Sequence, residues 1–314
     1  MIKHTLAAVA LGLSMTAALA EDINFGLIST EASTNLKSDW QPLFDDMVKQ
    51  TGLTIKPFFA SDYAGVIEGM RFNKVQVAWF GNKSAMEAVD RANGEIFAQM
   101  VNADGTEGYY SHMIVNADSP LKSLDDILKN GKNLSFSNGD PNSTSGFLVP
   151  GYYVFARNKI DAKSYFKVVR SANHEANALA VANKQVDVAT NNSENLEKIH
   201  ERQPEKFKNI RVVWTSPLIP LDPLVMSKNV SPEAKAKIKA FIYGYGKTDA
   251  HEKEVLMKIS KLSGFKPSSN DQLKPIRELA LFSQRNKIEA DTTLEANDKA
   301  AKLAELDQKL AALK

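Results

Sequence analysis

The residues Asp140-Pro141-Asn142-Ser143-Thr144-Ser145-Gly146 run straight into the apolar stretch Phe147-Leu148-Val149. Three consecutive hydroxyl side chains and a glycine therefore stand where a turn gives way to a helix. The first N–H groups of a helix have no intrahelical partner, and the aligned peptide dipoles add partial positive charge there. Such an end is suited to a tetrahedral oxyanion, and Ser and Thr hydroxyls supply further donors. The plainer role is capping, which Asn142 or Ser143 would fill as Ser, Thr and Asn commonly do. Pro150 runs against a regular helix here, since beyond the first turn a proline removes a hydrogen bond and kinks the chain.

Other chemistry finds little footing. The five histidines, His4, His112, His174, His200 and His251, show no metal-ligand spacing. Signatures of zinc proteases, serine hydrolases, P-loops and dinucleotide folds are all missing. With no cysteine in the chain, thiol catalysis, thiolate metal sites and disulfides are excluded. Neither a metal nor a cofactor is expected. The formal charge of +2 is small for 314 residues and gives no support to nucleic-acid or membrane binding.

The first residues bear on compartment. Met1 to His4 is a short positive region, Leu6 to Leu13 an apolar run, and Ala18-Leu19-Ala20 a small-x-small cleavage site. Residues 1–20 thus read as a signal peptide, with Glu21 as the first mature residue. No cysteine follows the cleavage site to carry a lipid, and no later apolar run approaches the roughly 20 residues of a membrane span. A soluble protein of a Gram-negative periplasm is expected.

Strand-like and helix-like segments alternate behind these residues, which argues for parallel sheets covered by helices. Ile23 to Ile28, Leu53 to Phe59, Val75 to Phe80 and Ile96 to Val101 read as strands. Trp40 to Thr51, Asp62 to Arg71 and Ser84 to Ala92 read as the helices between them. The second half repeats the plan, with strands Leu134 to Phe136, Phe166 to Val169 and Val186 to Thr190. Its helices are Phe147 to Arg157 and His174 to Asn183. Asn73 to Trp79 also echoes Asn183 to Thr190, each followed by a polar loop, Gly81-Asn82 or Asn191-Asn192. Two lobes on one plan follow, with ligands expected beyond the carboxyl ends of the strands. Past Ala290, Leu303, Leu306, Leu310 and Leu313 form an amphipathic seam, either packed on the body or pairing two chains in a homodimer.

Several longer segments, in order, resemble the periplasmic phosphonate-binding proteins of ABC importers. They are Phe25 to Glu31, Asp62 to Phe72, Ala85 to Gly94, Gly139 to Phe155, Asn177 to Asn192 and Ser216 to Pro220. The resemblance covers the mature chain up to the C-terminal helix. It implies an α/β, two-lobed periplasmic binding protein of the class II type, with the ligand cleft between lobes and a helical extension at the C-terminus. Lobe one would comprise residues 21–115 and 224–290, lobe two residues 116–223, and the last helix residues 291–314. The chain would cross between lobes near Val115 to Ser119 and again near Leu218 to Leu224. The partners implied are a small-molecule phosphonate and an inner-membrane permease.

By the same resemblance, Ser143, Thr144 and Ser145 would hold the phosphonate oxygens, joined by Tyr63, Tyr109 and His174. Glu194 and Asp222 would receive an ammonium group. Read without the resemblance, Tyr63 and Tyr109 could be packing aromatics, His174 and Glu194 helix-start residues, and Asp222 a turn residue before Pro223. Two acids in an oxyanion pocket repel the ligand unless it carries a cation, which suggests a zwitterion such as 2-aminoethylphosphonate. Two positions depart from the family pattern: Phe80 where a tyrosine is expected, and Leu221 where a glycine is. A phosphite, phosphate or other oxyanion binder of the same fold is the first alternative. A secreted phosphoryl-processing enzyme is the second.

Overall fold

The computed structural model describes residues 21–313. The expected signal peptide, residues 1–20, lies outside them. Among the described residues no helix is long and apolar enough to cross a membrane.

The chain builds two sheets in turn. Strands β1 (Asp22–Leu27), β2 (Thr54–Phe59), β3 (Val77–Trp79) and β4 (Gly94–Asn102) belong to the first. A two-residue strand β5 (Gly108–Tyr109) leads into β6 (Ser111–Asn116), β7 (Ser135–Asn138), β8 (Val168–Ser171), β9 (Val188–Asn192) and β10 (Ile210–Thr215) of the second. β11 (Ile219–Pro220) pairs antiparallel with β5 as a short ribbon. The chain then returns through β12 (Pro223–Ser227) and β13 (Leu262–Pro267) to the first sheet. Each sheet with its helices forms one lobe.

The two lobes share one topology. The first sheet runs β13-β4-β12-β3-β1-β2 and the second β10-β6-β9-β7-β8. In each, the strand that ends at the cleft pairs parallel to one neighbour (β3 to β1, β9 to β7) and antiparallel to the returning strand (β12 or β6). The sequence echo is the same turn built twice. Asn73 and Lys184 both adopt positive φ, at 55° and 58°. The N–H groups of Lys74 and Gln185 reach back to the carbonyls of Gly69 and Ala180, each five residues earlier.

β6 lies wholly within the second sheet, between β10 and β9, so the first crossing falls between Asn102 and Ser111. That is upstream of the expected Val115 to Ser119. The apolar run Met113 to Val115 continues the character of β4, and composition alone cannot tell which sheet such a run joins. The second crossing lies between Thr215 and Pro223, overlapping the expected Leu218 to Leu224.

Aromatic packing fixes the floors of both lobes. Phe25, Trp40 and Phe44 pack beneath the first sheet, with Trp40 stacked on Trp79 at 5.4 Å between ring centres. Phe136, Phe155 and Phe166 do the same for the second. The C-terminal helix spans Ala296–Ala311 and lies against the helix Lys274–Ala290. Leu306 and Leu310 are buried, and Arg285 pairs with Asp307 at 2.9 Å. The leucine seam therefore packs on its own chain, while Leu303 and Leu313 are partly covered.

Candidate ligand-binding site

The expected site residues all lie past the cleft-facing ends of strands, or on the ribbon joining the lobes. Tyr63 opens the helix after β2; Ser143 to Ser145, His174 and Glu194 follow β7, β8 and β9 respectively. Tyr109 is in β5, and Asp222 sits between β11 and β12. Parallel strands direct their carboxyl ends and the following helix starts to one edge, which is why residues so far apart in sequence converge.

The hydroxyl turn is wound differently from the helix expected there. Thr144–Leu148 and Gly151–Phe155 are π-helical turns with Val149 and Pro150 between them. Wide winding shifts hydrogen bonds to i→i−5 and accommodates Pro150, which has no N–H to contribute. The first such bond runs from the Leu148 N–H to the Ser143 carbonyl at 3.1 Å, so the amides of 144–147 precede it. Ser143 Oγ accepts the Gly146 N–H at 2.9 Å. Ser143 is thus both cap and cleft residue, and the two roles weighed from sequence coexist.

The second sheet holds this turn rigidly. Ser111 Oγ donates to the Ser145 carbonyl at 2.5 Å, and Thr190 Oγ1 to the Gly146 carbonyl at 2.8 Å. Gly139 packs directly on it: a Cβ there would lie 2.6 Å from the Gly146 backbone. Ser143, Thr144 and Ser145 are each 2 % exposed. Their hydroxyls face partners from both lobes. Thr144 Oγ1 accepts the Lys83 N–H at 2.8 Å, across the cleft. Tyr63 donates its backbone N–H to Asp140 Oδ2 at 3.1 Å, also across it.

His174 Nε2 stands 3.4 Å from Ser143 Oγ, Ser145 Oγ and Asn192 Nδ2. Burial pushes its imidazole down to about 4, so the ring is neutral near pH 7. Its Nδ1 is buried with no partner among the described residues.

Asp222 Oδ2 accepts the Trp79 Nε1–H at 3.1 Å and Oδ1 the Tyr109 hydroxyl at 3.3 Å. Burial, and then the charge of Glu194, drive the Asp222 carboxyl well above its ordinary value despite these bonds. Glu194 is partly covered as a residue, but its carboxyl is enclosed by the cleft. Burial pushes it up to about 7, against the pull of Lys198. Burial and the nearby carboxyls also raise the phenols of Tyr63 and Tyr109, which stay protonated. Two acids raised by burial, one of them further by the charge of the other, mark a site short of positive charge.

Residues 25–273 match the family described as "ABC transporter, phosphonate, periplasmic substrate-binding protein". The chain belongs to this family. It is 56 % identical over 288 residues to the phosphonates-binding periplasmic protein of Escherichia coli, covering 92 % of this chain and 84 % of that one. A solved structure, the binding protein component of an ABC phosphonate transporter from Pseudomonas aeruginosa, is 56 % identical. It superposes with a TM-score of 0.92, over 94 % of this chain and 97 % of that one. A more distant relative, the phosphate-import protein PhnD of Mycolicibacterium smegmatis, is 29 % identical over 246 residues, 74 % of this chain and 75 % of that one. This is a periplasmic binding component of a phosphonate importer, and not an enzyme.

The two positions expected to depart from the family pattern, Phe80 and Leu221, both pack into the lobe-one core. Phe80 is fully buried in the lobe-one core. Leu221 points its side chain into the same core, while its carbonyl accepts Gln99 Nε2 at 3.1 Å and Gln272 Nε2 at 2.9 Å. The loop is pinned on both sides, and Asp222 still reaches Trp79 and Tyr109.

Sequence reasoning missed three residues here. Trp79 looked like core, and only its N–H reaching Asp222 shows otherwise. Asn192 caps the helix Ser193–Arg202, and its Nδ2 donates to Ser145 Oγ at 3.1 Å. Asn195 is buried, its Oδ1 has no partner among the described residues, and it lines the same cavity as Glu194 and His174. The polar loop at Asn191-Asn192 was a usable signal; for Trp79 and Asn195 nothing in the sequence was.

Proposed function

We propose that this protein captures a phosphonate bearing an ammonium group, with 2-aminoethylphosphonate the best match, and hands it to its membrane permease. The observation that carries the reading is the pair of acids, Glu194 and Asp222, raised by burial in the same cleft as the hydroxyl turn.

In this reading the Ser143, Thr144 and Ser145 hydroxyls and the free amides of their turn hold the phosphonate oxygens. Thr144 Oγ1 already accepts from Lys83, so its own proton is left to donate to the ligand. Tyr63, Tyr109 and neutral His174 add donors. An ammonium has three N–H donors, and Glu194, Asp222 and the Asn195 Oδ1 supply three acceptors. The cation also offsets the Glu194 charge that helps raise Asp222, and gives buried Glu194 a counter-charge. Plain phosphate or phosphite would leave them without a counter-charge, which costs several kcal/mol by order of magnitude. That relatives include a phosphate importer makes this the alternative to test.

Calorimetry of the purified protein against phosphate, phosphite, methylphosphonate, ethylphosphonate and 2-aminoethylphosphonate is the test. Aminoethylphosphonate should bind tightest, with ethylphosphonate clearly weaker. Phosphate binding as tightly as aminoethylphosphonate would sink the reading.

A further inference from the structure

Four charged side chains meet across the lobes, outside the ligand contacts described above. Glu31 follows β1 and Asp39 lies on the helix Ser33–Thr51, both in lobe one. Lys198 and Arg202 lie on the lobe-two helix Ser193–Arg202, whose first turn carries Glu194. Lys198 Nζ donates to Glu31 Oε1 at 2.6 Å and Asp39 Oδ2 at 3.2 Å. Arg202 donates to Glu31 Oε2 at 2.5 Å and also bonds Asp39. The acid side chains are only 2 % and 3 % exposed, so two buried carboxylates draw both cations from the opposite lobe.

Glu194 and Lys198 are four residues apart, which places them one turn apart on a shared helix face. Both line one cavity, together with Glu31, His174 and Asn195. We propose that Lys198 is a specificity-determining residue: pairing with Glu31 and Asp39 when the lobes close leaves Glu194 to the ammonium group of the ligand, while the lysine's charge one turn away lessens the demand for that ammonium. This rests on the aminophosphonate reading above.

The physical argument concerns where the lysine can go. With the lobes apart, Glu31 and Asp39 move out of reach, and Glu194 is the carboxylate at the spacing at which Glu–Lys pairs form on helices. Closure transfers the lysine's bonds to lobe one. Glu194 is then held in the cleft with its acid raised by burial, and a ligand ammonium restores the missing charge. A ligand without an amine can still close the lobes through the hydroxyl turn and the four-charge latch, but it leaves Glu194 unmatched. Arg202 shares the latch from two turns away, so it should favour closure for every ligand alike. The comparison of these two cations isolates the role of Lys198.

Dissociation constants for 2-aminoethylphosphonate and ethylphosphonate are measured on wild type, Lys198→Met, Arg202→Met and Lys198→Arg. Both methionine variants should bind ethylphosphonate roughly tenfold or more weakly, because each leaves buried acids short of a cation. Because Lys198 still lies beside Glu194 in the closed form, where it offsets part of that charge for any ligand, the preference for aminoethylphosphonate should rise severalfold in Lys198→Met, stay at the wild-type value in Arg202→Met, and return toward it in Lys198→Arg. Lys198→Gln repeats the comparison should the methionine variant misfold. An unchanged preference in Lys198→Met would overturn the specificity role and leave Lys198 as a latch residue only. Unchanged ethylphosphonate affinity in both methionine variants would overturn the latch. Should wild type show no preference for the amine, the aminophosphonate reading itself fails; the latch is still judged by ethylphosphonate alone.

Discussion

A single hydroxyl, that of Thr144, tests whether the turn reads the shared head group. Its oxygen is occupied by the Lys83 N–H, so Thr144→Ala removes one donor to the ligand and one bond across the cleft. Charge-assisted hydrogen bonds are worth about 1.5–3 kcal/mol, so every phosphonate should weaken by roughly tenfold or more in calorimetry. A loss confined to one ligand would contradict this. The acids make a second residue-scale prediction, through pH. Glu194 is faced by Asp222, Tyr63, Tyr109 and Lys198, and its carboxyl in the closed protein sits at about 7, against an ordinary 4.5. The closed, ligand-free form therefore holds more protons than the open or unfolded form between these values. Its stability is fully present below the ordinary value and falls as pH rises toward about 7. An ammonium favours the ionised acids, so the preference for aminoethylphosphonate over ethylphosphonate should grow between about pH 5 and pH 8. The ammonium lowers the second phosphonate pKa of its own ligand, so each affinity is first corrected for that ligand's measured titration. A flat ratio would count against the acids as the amine site. At this scale the sequence was partly legible: three hydroxyls in a row are visible as letters, whereas the Trp79 and Asn195 contacts depend on where loops from other strands fall.

The elements carry a separate lesson. Strands and helices followed from alternation because apolar period and turn residues are local signals. The winding of 144–155 did not, because a π-turn is set by what holds it: Ser111 and Thr190 lie far away in sequence, and the Gly139 contact forms only once the turn folds back on it. Pro150 was the one local sign that an ordinary helix would not fit. Gly139→Ala follows from that packing. The added methyl group would meet the Gly146 backbone, and over-packing of this kind costs about 1–3 kcal/mol. The variant should melt at lower temperature and bind all phosphonates less tightly, as differential scanning fluorimetry and calorimetry would show. Normal affinity would mean that the turn is free to shift. The C-terminal helix lies against Lys274–Ala290 and away from the site residues, so deleting 303–314 should leave ligand affinity unchanged. A weakened ligand would show that the helix supports the cleft.

For the whole molecule, the repeated topology explains why one edge of each lobe meets the other. Both sheets send parallel strands and helix starts to the cleft, and the ribbon of β5 and β11 joins them. The echo between Asn73 and Asn183 made this plan legible, because it marks the same helix-turn-strand corner in each half. The first crossing was misplaced because β6 is as apolar as the strands of the lobe the chain leaves. Closure brings together groups that belong to different lobes, which is why a binding protein responds to ligand by shifting between open and closed forms. The central claim is that the two acids read an amine. Glu194→Gln keeps the size and removes the charge, and Asp222→Asn does the same on the ribbon side. Calorimetry with 2-aminoethylphosphonate and ethylphosphonate on wild type and both variants measures the difference directly. Aminoethylphosphonate should lose about 2–5 kcal/mol, as expected for removing one member of an enclosed charge pair, while ethylphosphonate binds equally or better. Equal losses for the two ligands would contradict the account and make Glu194 and Asp222 supports of the cleft.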